Sequence, residues 1–291
     1  MSTSQWSANN SFSTKVSFAP SSQEAKPYPV GGLSGSGYGY GLSISKLGTR
    51  LCIGMPYTSP DGVTNAGKAY IFTRSGASWS QETTIQANDR STNNYFGGSV
   101  SISGDGTRAI VGAYGANASY VYLRSGTSWT QEARLLASDR VTGDEFGCSV
   151  SMDETATRVI VGAMRATFSG YTNAGKAYIF TRSGSTWSQE VILGPDGNMS
   201  NNMFFGTSVT ISSSGDVACV GAYGTTKSGL VNTGKAHVYL RAGTSWTNPT
   251  NLFTTPLGSG NQFGYRVAIS GGAERLAVTA GGGAGEVILF I

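Results

Sequence analysis

Residues 96–113 read FGGSVSISGDGTRAIVGA, and close variants of this stretch recur along the chain. An aromatic-Gly pair opens each copy, near residues 38, 96, 146, 205 and 263. Each copy continues through two further apolar runs, and four copies then reach a tryptophan. These tryptophans are Trp79, Trp129, Trp187 and Trp246. Self-similarity at a nearly fixed period of this length indicates a repeat architecture.

Each repeat predicts four short antiparallel β-strands. Its apolar runs are rich in Val, Ile, Tyr and Phe and are separated by Gly, Ser, Asn and Asp, and no segment has a long helical period. The fourth run alternates, with Trp79, Gln81 and Thr83 on one face, as expected of an outer strand with one wet face. The second and third runs are apolar almost throughout, which favours strands packed between neighbouring sheets.

A four-stranded sheet of this size cannot bury both faces alone, so the repeats must stack, and the usual closed arrangement is a β-propeller. We therefore predict an all-β fold, a five-bladed β-propeller of four-stranded antiparallel blades, forming one domain over residues 1–291. The fifth copy ends at Ile291 after its third strand, and Trp6 resembles the tryptophans of the fourth strands. We expect residues 4–18 to supply the closing strand and so remove the exposed sheet edges. An open stack, or a larger ring shared with another chain, is the alternative.

The stretch from Phe96 to Ala113 resembles the FG-GAP repeat of integrin α-subunit propellers and of related microbial and viral proteins. The resemblance covers about residues 38–291 and implies the fold but no activity, because a propeller is a scaffold for many functions. Integrin heads have seven blades, and their calcium loops carry several acidic residues in one turn. Here no corresponding turn has more than two acids, as at Asp153 and Glu154, too few for Ca²⁺. We predict no metal and no other cofactor.

Composition limits the kinds of partner and the location that the chain can be expected to have. Charged residues make up 12% of the chain, and the net charge of +4 is spread over the repeats, which argues against nucleic acid. Cys52 and Cys219 stand at apolar second-strand positions, so we interpret them as core residues rather than parts of a disulfide framework. The first residues lack the pattern of a secretory signal, and no run is long enough to insert into a membrane. These features favour a virus particle or an extracellular surface reached by lysis or specialised export.

Residues 19–37 lie outside the repeat pattern. Pro20, Pro27 and Pro29 and several glycines predict an extended linker. We favour a loop along the rim of the propeller, and an arm that docks on a neighbouring subunit is the alternative.

Signals for catalysis are scarce, and we expect the chain not to be an enzyme. His237, the only histidine, takes the place that Tyr70, Tyr120 and Tyr178 fill in other repeats, and no catalytic residue is assigned. A carboxylate pair for glycoside hydrolysis remains the alternative. The loop acids available for it are Asp61, Asp89, Asp139, Asp144, Glu145 and Asp196.

Long loops between the second and third strands, together with the loops that join blades, mark the predicted ligand or partner face. Three of the five repeats carry an Asn-x-Gly-Lys motif there, which also reads as a turn into the third strand. The Asp-Arg pairs at 89–90 and 139–140 lie in blade-to-blade loops, where we expect them to lock the loop. The predicted face comprises Tyr57, Asp61, Asn65, Lys68, Asp89, Arg90, Asp139, Arg140, Tyr171, Asn173, Lys176, Asn232 and Lys235.

Three functions follow from these observations. The favoured one is a non-enzymatic structural or attachment protein of a virus or phage particle, contacting other structural proteins, a host-surface protein or a glycan, within a large assembly. The alternative is a lectin-like carbohydrate-binding propeller or a bacterial cell-surface adhesin. A hydrolase that uses loop carboxylates is the third.

Overall fold

The structure is a computed structural model that describes residues 25–30, 37–197, 199–255, 258–282 and 285–291. The predicted closing strand, residues 4–18, lies outside the described residues, as does most of the predicted linker 19–37. Twenty strands are described, in five groups along the chain.

The strands follow the sequence repeats. Blade 1 contains β1 (Leu42–Ile44), β2 (Arg50–Met55), β3 (Lys68–Ser75) and β4 (Ser78–Ile85). Blade 2 contains β5 (Phe96–Ile102), β6 (Arg108–Ala113), β7 (Ala118–Ser125) and β8 (Ser128–Leu135). Blade 3 contains β9 (Phe146–Met152), β10 (Arg158–Ala163), β11 (Lys176–Ser183) and β12 (Thr186–Leu193). Blade 4 contains β13 (Ser208–Ile211), β14 (Val217–Ala222), β15 (Lys235–Ala242), β16 (Ser245–Trp246) and β17 (Thr250–Leu252), and blade 5 contains β18 (Phe263–Ile269), β19 (Leu276–Ala280) and β20 (Glu286–Phe290).

The predicted all-β propeller of five blades is confirmed. Blades 1, 2 and 3 are four-stranded antiparallel sheets whose strands pair in chain order. In blade 4 the outer strand is split, because β16 and β17 both pair with β15. Blade 5 has three strands among the described residues. Those residues form only two short 3₁₀ turns, Pro60–Gly62 and Tyr114–Ala116, and none of their helices has the length and apolar character needed to cross a membrane.

The glycines of the repeated stretch let neighbouring blades touch backbone to backbone. A Cβ atom on Gly54 would lie 1.9 Å from the carbonyl oxygen of Gly97 in the next blade. The same contact recurs from Gly112 to Gly147, and later repeats continue the series. Gly97 also has a left-handed φ of 94°, which other residues rarely adopt. Both glycines of the motif are therefore required by the stacking of blades.

The serines of the motif fasten the innermost strands of adjacent blades. The Ser101 hydroxyl of blade 2 accepts a hydrogen bond from the Met152 backbone N–H of blade 3, at 3.1 Å. Ser43 accepts from Ile102 and Ser151 from Ile211 in the same way. Each innermost strand is thus joined to its neighbour although the two strands belong to different sheets.

The core lies between the blades. Side chains of β2 and β3 in one blade pack on the first, second and third strands of the next, as in the cluster that includes Cys52, Ile71, Phe96 and Val111. Burying each large apolar side chain contributes roughly 1.5–3 kcal/mol. Cys52 and Cys219 are fully buried core residues, as the sequence predicted.

Blades 1 and 5 differ from the others in the faces that they leave exposed. Leu42 and Ile44 of β1 are 65% and 56% exposed, whereas the equivalent Val100 and Ile102 of β5 are 6% and 5% exposed. Leu289 of β20 is 58% exposed, although its equivalent Ile71 is fully buried. No other described residues therefore cover the apolar surfaces at the two ends of the row of blades.

Residues 25–30 lie against blade 1. The Val30 N–H donates to the Gln81 side-chain oxygen at 2.8 Å, and Pro29 is buried. In blade 3 the same hydrogen bond is made by a blade-to-blade loop, where the Ser138 N–H donates to the Gln189 side-chain oxygen. This part of the predicted linker thus occupies the position of a blade-to-blade loop.

Candidate functional site

The first strands of the blades surround a central cavity of about 500 Å³. Every blade contributes to its wall, from Tyr40 in blade 1 to Arg266 in blade 5. Four tyrosines line it, namely Tyr40, Tyr114, Tyr223 and Tyr265. Tyr114, Met164 and Tyr223 of its wall directly follow second strands, at the end of the blades that carries the blade-to-blade loops and the loops between second and third strands.

Bulky residues with left-handed backbone lie beside the lining of this cavity, in a region that we call the mouth. Glu145 is part of the lining, and Tyr95 and Phe204 stack on the lining residues Tyr114 and Tyr223. The bulky residues immediately precede the phenylalanine that opens each repeat, and their φ angles are 54° for Tyr95, 57° for Glu145, 55° for Phe204 and 53° for Gln262. Large side chains in this region of backbone space are outliers, and such outliers cluster at functional sites. Blade 1 has Gly37, with a φ of 71°, at the equivalent position.

Two aromatic groups flank the mouth. On one side Tyr95 stacks on Tyr114 with ring centroids 4.8 Å apart, and Tyr57 contacts Tyr95 and Tyr40 edge to face. On the other side Phe204 stacks on Tyr223 at 5.0 Å, and Tyr223 contacts Tyr265. Of these rings, those of Tyr40, Tyr114, Tyr223 and Tyr265 line the cavity, and each carries a phenol group.

The phenols of Tyr40, Tyr114 and Tyr223 have raised pKa values and remain protonated at neutral pH. Burial, followed by a hydrogen bond with Tyr57, raises the pKa of Tyr114 far above its usual value of 10. The same causes raise the pKa of Tyr40. Burial, with the neighbouring Tyr265 and Glu145, raises the pKa of Tyr223. The cavity therefore offers neutral hydroxyl groups that both donate and accept hydrogen bonds.

Charged groups lie at two points of the wall. Glu145 forms an ion pair with Arg165, with 2.7 Å between Oε1 and Nε. The Arg266 guanidinium lies over the ring of Tyr265, 4.6 Å from its centroid. The mouth thus combines aromatic faces, hydroxyl groups and one cation that is stacked on a ring.

Most of the residues that line this cavity were not predicted from the sequence. Of the predicted face, only Tyr57 lies within the aromatic groups of the mouth. The signal that was available is the residue before each aromatic-Gly pair, which differs in every copy although the pair itself recurs. A left-handed φ is not visible in the sequence when the residue is neither Gly nor Asn.

The Asn residues of the Asn-x-Gly-Lys motif are turn residues that form hydrogen bonds with the loop leading into the next blade. Asn65, Asn173 and Asn232 have φ angles of 49°, 53° and 51°. The Asn65 amide donates to Asn93 at 3.0 Å, and the Asn173 amide donates to Asn202 at 2.8 Å. The interpretation of the motif as a turn into the third strand therefore fits the geometry.

The lysines of the motif lie at the start of the third strands. Lys176 pairs with Asp139 at 2.6 Å, and Asp139 also accepts a hydrogen bond from the Tyr178 hydroxyl. Lys235 pairs with Asp196. Lys68 begins β3, opposite Met55 of β2. Two of the three lysines are thus tied to the blade-to-blade loop before their own blade.

Three of the four residues in the Asp-Arg pairs form ion pairs with residues outside the pair, including Asp139 with Lys176. Asp89 pairs with Arg134 at 3.1 Å, and Arg90 pairs with Asp61 of the long loop in blade 1. Arg140 has no ion-pair partner among the described residues. Tyr171, at 38% exposure, lies on the rim outside both aromatic groups.

His237 occupies the register position of the tyrosines in other blades, since it pairs with Val220 as Tyr178 pairs with Val161. It is fully buried, and its Nδ1 lies 3.2 Å from Asp196 Oδ1. Within the described part of the chain neither ring nitrogen has a partner with hydrogen-bond geometry, so the contact is electrostatic. Burial lowers the pKa of His237 from 6.5 to about 4, despite the nearby carboxylate. The imidazole is therefore neutral at physiological pH.

The six loop acids considered for hydrolysis lie in separate contacts. Asp61, Asp89, Asp139, Glu145 and Asp196 each have a cationic partner, and Asp144 accepts a hydrogen bond from the Val141 N–H. Among the described residues, no group of three or more His, Cys, Asp and Glu side chains is arranged to hold a metal ion.

Solved structures share the fold at low sequence identity. A protein from Lactobacillus plantarum matches with a TM-score of 0.56 at 13% identity, over 89% of this chain and 72% of that protein. Hydrazine synthase of Kuenenia stuttgartiensis matches with a TM-score of 0.51 at 12% identity, over 82% of this chain and 64% of the enzyme chain. The periplasmic gluconolactonase PpgL of Pseudomonas aeruginosa matches with a TM-score of 0.54 at 14% identity, over 81% and 63%. No curated protein matches the sequence.

The prediction that the chain is not an enzyme is wrong on this comparison. It rested on the scarcity of catalytic signals, yet PpgL, which has the same fold, is named as an enzyme. At 14% identity the likeness is one of fold alone, so it assigns no activity to this chain.

A model of one repeat family matches the sequence three times. The FG-GAP repeat model covers residues 79–127, 129–180 and 187–239, together more than half of the chain. Each match runs from the tryptophan of one blade to the third strand of the next. With the glycine contacts between blades and the propeller architecture, this match shows that the chain belongs to the FG-GAP repeat family.

Proposed function

We propose that this FG-GAP propeller binds a carbohydrate in its central cavity. The observation that carries the proposal is the left-handed backbone at Tyr95, Glu145, Phe204 and Gln262. Gly37 stands at the same position in blade 1, so the fold accepts glycine there. Each bulky residue costs about 1 kcal/mol or more in backbone energy. Such a cost at four of five blades indicates that the side chains themselves are used.

The chemistry of the mouth suits a sugar. Aromatic faces such as those of Tyr114 and Tyr223 pack on the apolar side of a pyranose ring, and neutral phenols exchange hydrogen bonds with its hydroxyl groups. A volume of about 500 Å³ lies within the usual range for small-ligand sites, about 300–1,000 Å³.

A glycan array with the purified protein tests the proposal. The expected result is binding to a restricted group of glycans, lost in the variants Tyr95→Gly and Phe204→Gly. Glycine removes the ring and relieves the left-handed strain, so both variants should fold. Leu47→Ala, at an exposed position in the turn on the opposite face, is the control. Absence of any glycan binding, or equal binding by the glycine variants, would contradict the proposal.

The proposal also covers the location of the protein. We infer that it acts on a virus particle or an extracellular surface, where a glycan-binding propeller serves attachment to a host or to other structural proteins. Mass photometry of the protein isolated from its natural source tests this part. Recovery with a particle or a defined large assembly supports it, and recovery as a free monomer contradicts it.

A further inference from the structure

The junction between blades 2 and 3 lacks a contact that the junctions before and after it possess. Blade 1 has the long loop 56–67 between β2 and β3, whereas blade 2 has only residues 114–117 between β6 and β7. The short loop leaves a notch of about 270 Å³ at the rim. Its lining residues are Gly115, Ala116, Asn117, Arg140, Thr142 and Gly143.

At the other described junctions the long loop supplies two consecutive carbonyl oxygens to the next blade. Thr64 and Asn65 accept hydrogen bonds from the N–H groups of Asn93 and Tyr95, at 2.9 and 3.0 Å. In blade 3, Thr172 and Asn173 accept from Asn202 and Phe204, at 2.9 and 3.0 Å. In blade 4, Val231 and Asn232 accept from Gly260 and Gln262, both at 2.9 Å.

At the notch the equivalent donors are the N–H groups of Gly143 and Glu145. Neither has an acceptor among the residues that the structure describes. One further hydrogen bond does join blade 2 to blade 3 at this point, and it comes from a side chain: Asn117 Oδ1 accepts from the Phe146 N–H at 2.7 Å. The Asn117 amide also donates to the Val141 carbonyl oxygen at 2.7 Å, which fixes the wall of the notch.

The positive charge of Arg140 at the notch is also without an ion-pair partner among the described residues. Arg90, the repeat equivalent of Arg140, pairs with Asp61 of the long loop in blade 1. Blade 2 has no such loop, and Arg140 has no carboxylate partner in the described part of the chain. The two acids nearest to Arg140 in the sequence have other partners, since Asp139 pairs with Lys176 and Asp144 accepts from the Val141 N–H.

We propose that this notch binds a peptide segment of a partner protein that carries a carboxylate and takes the place of the missing loop. Two consecutive carbonyl oxygens of the peptide accept from the N–H groups of Gly143 and Glu145. A carboxylate three residues before the first of these carbonyls pairs with Arg140, as Asp61 stands three residues before Thr64. The site lies on the rim and goes beyond the carbohydrate proposal, so either can fail without the other.

The loop of blade 1 provides the probe. A peptide with the sequence of residues 59–67, SPDGVTNAG, is titrated into ¹⁵N-labelled full-length protein and followed by NMR. We expect saturable shifts of the Gly143 and Glu145 amide signals. Binding should weaken at least fivefold in the Arg140→Ala variant and for a peptide that carries Asn in place of its Asp.

Lys46→Ala is the control for loss of a positive charge, because Lys46 lies in a turn on the opposite face and pairs there with Glu154. This variant should bind the peptide as the wild type does. The proposal is overturned if the two amide signals do not move at millimolar peptide. It is equally overturned if Arg140→Ala binds the peptide as tightly as the wild type.

Discussion

Gly112 of blade 2 lies against the backbone of Gly147 in blade 3, so closely that a Cβ atom on Gly112 would stand 2.0 Å from the Gly147 carbonyl oxygen. This close backbone contact explains why the repeat motif has glycine at both positions. Because the obstructing atoms are backbone, they cannot turn aside as a flexible side chain would.

The variant Gly112→Ala is therefore expected to force blades 2 and 3 apart and to lower the free energy of unfolding by roughly 2–3 kcal/mol. Urea unfolding measures the change. Gly272→Ala is the matched control, because a Cβ atom there would have 3.6 Å to its nearest neighbour in an exposed turn. Equal stability of the two variants would refute the role assigned to the glycine contact.

Glu190 braces the junction of blades 3 and 4. Its carboxylate accepts from Arg158 and Arg241 at 3.0 Å each and from the Trp246 indole at 3.2 Å. Although burial opposes it, hydrogen bonds from Arg241 and Arg158 lower the pKa of Glu190. Glu190→Ala leaves two half-buried guanidinium groups without this partner, and we expect a loss of about 3 kcal/mol in unfolding free energy. Glu154→Ala, which removes an exposed pair with Lys46, should change stability far less. A similar small loss for both would show that Glu190 is not a brace.

His237 predicts how stability depends on pH. Its pKa is about 4 in the folded state and near 6.5 in the unfolded chain, so the unfolded state binds the proton more readily. Stability contributed by the neutral imidazole is present above pH 6.5 and is lost as the pH falls towards 4, by at most about 3 kcal/mol. The chain has one histidine, so no second imidazole contributes to this window.

The variant His237→Tyr copies the arrangement of Tyr178 and Asp139 in blade 3. It should flatten the loss of stability between pH 6.5 and pH 4.5, as measured by urea unfolding at several pH values. Parallel pH profiles of the wild type and the variant would exclude His237 as the cause.

The N-terminal segment predicts a further effect on stability. Residues 25–30 follow the path of a blade-to-blade loop, and a fourth strand precedes each such loop elsewhere. Leu289 of blade 5 is exposed where its equivalents are buried. We therefore expect removal of residues 1–18 to lower the melting temperature by several degrees and to increase the binding of a hydrophobic dye. An unchanged melting temperature would contradict the proposal that residues 4–18 close the ring.

The fold was largely predictable because its determinants are local and repeated. Phe-Gly and the second glycine each appear four times in the sequence, and their glycines make the same contact between blades each time. The serine that joins neighbouring first strands appears three times, as Ser43, Ser101 and Ser151. The apolar runs place the strands, since their period differs clearly from that of a helix.

The sites were less predictable because they depend on what differs between repeats. Arg90 finds its partner in Asp61, in another loop, rather than in its neighbour Asp89. The notch beside Arg140 arises from a loop that is absent. The strained backbone at Tyr95 and Phe204 has no sequence signature, although each residue stands just before the repeated Phe.

A crystal structure of the protein with the glycan that binds most strongly on the array shows whether the central cavity is the carbohydrate site. We expect a sugar in the central cavity, with a ring packed on Tyr114 or Tyr223 and hydroxyl groups bonded to the phenols. A sugar bound instead at the rim, on the Asn-x-Gly-Lys loops, or a cavity that stays empty at saturating glycan, would contradict it.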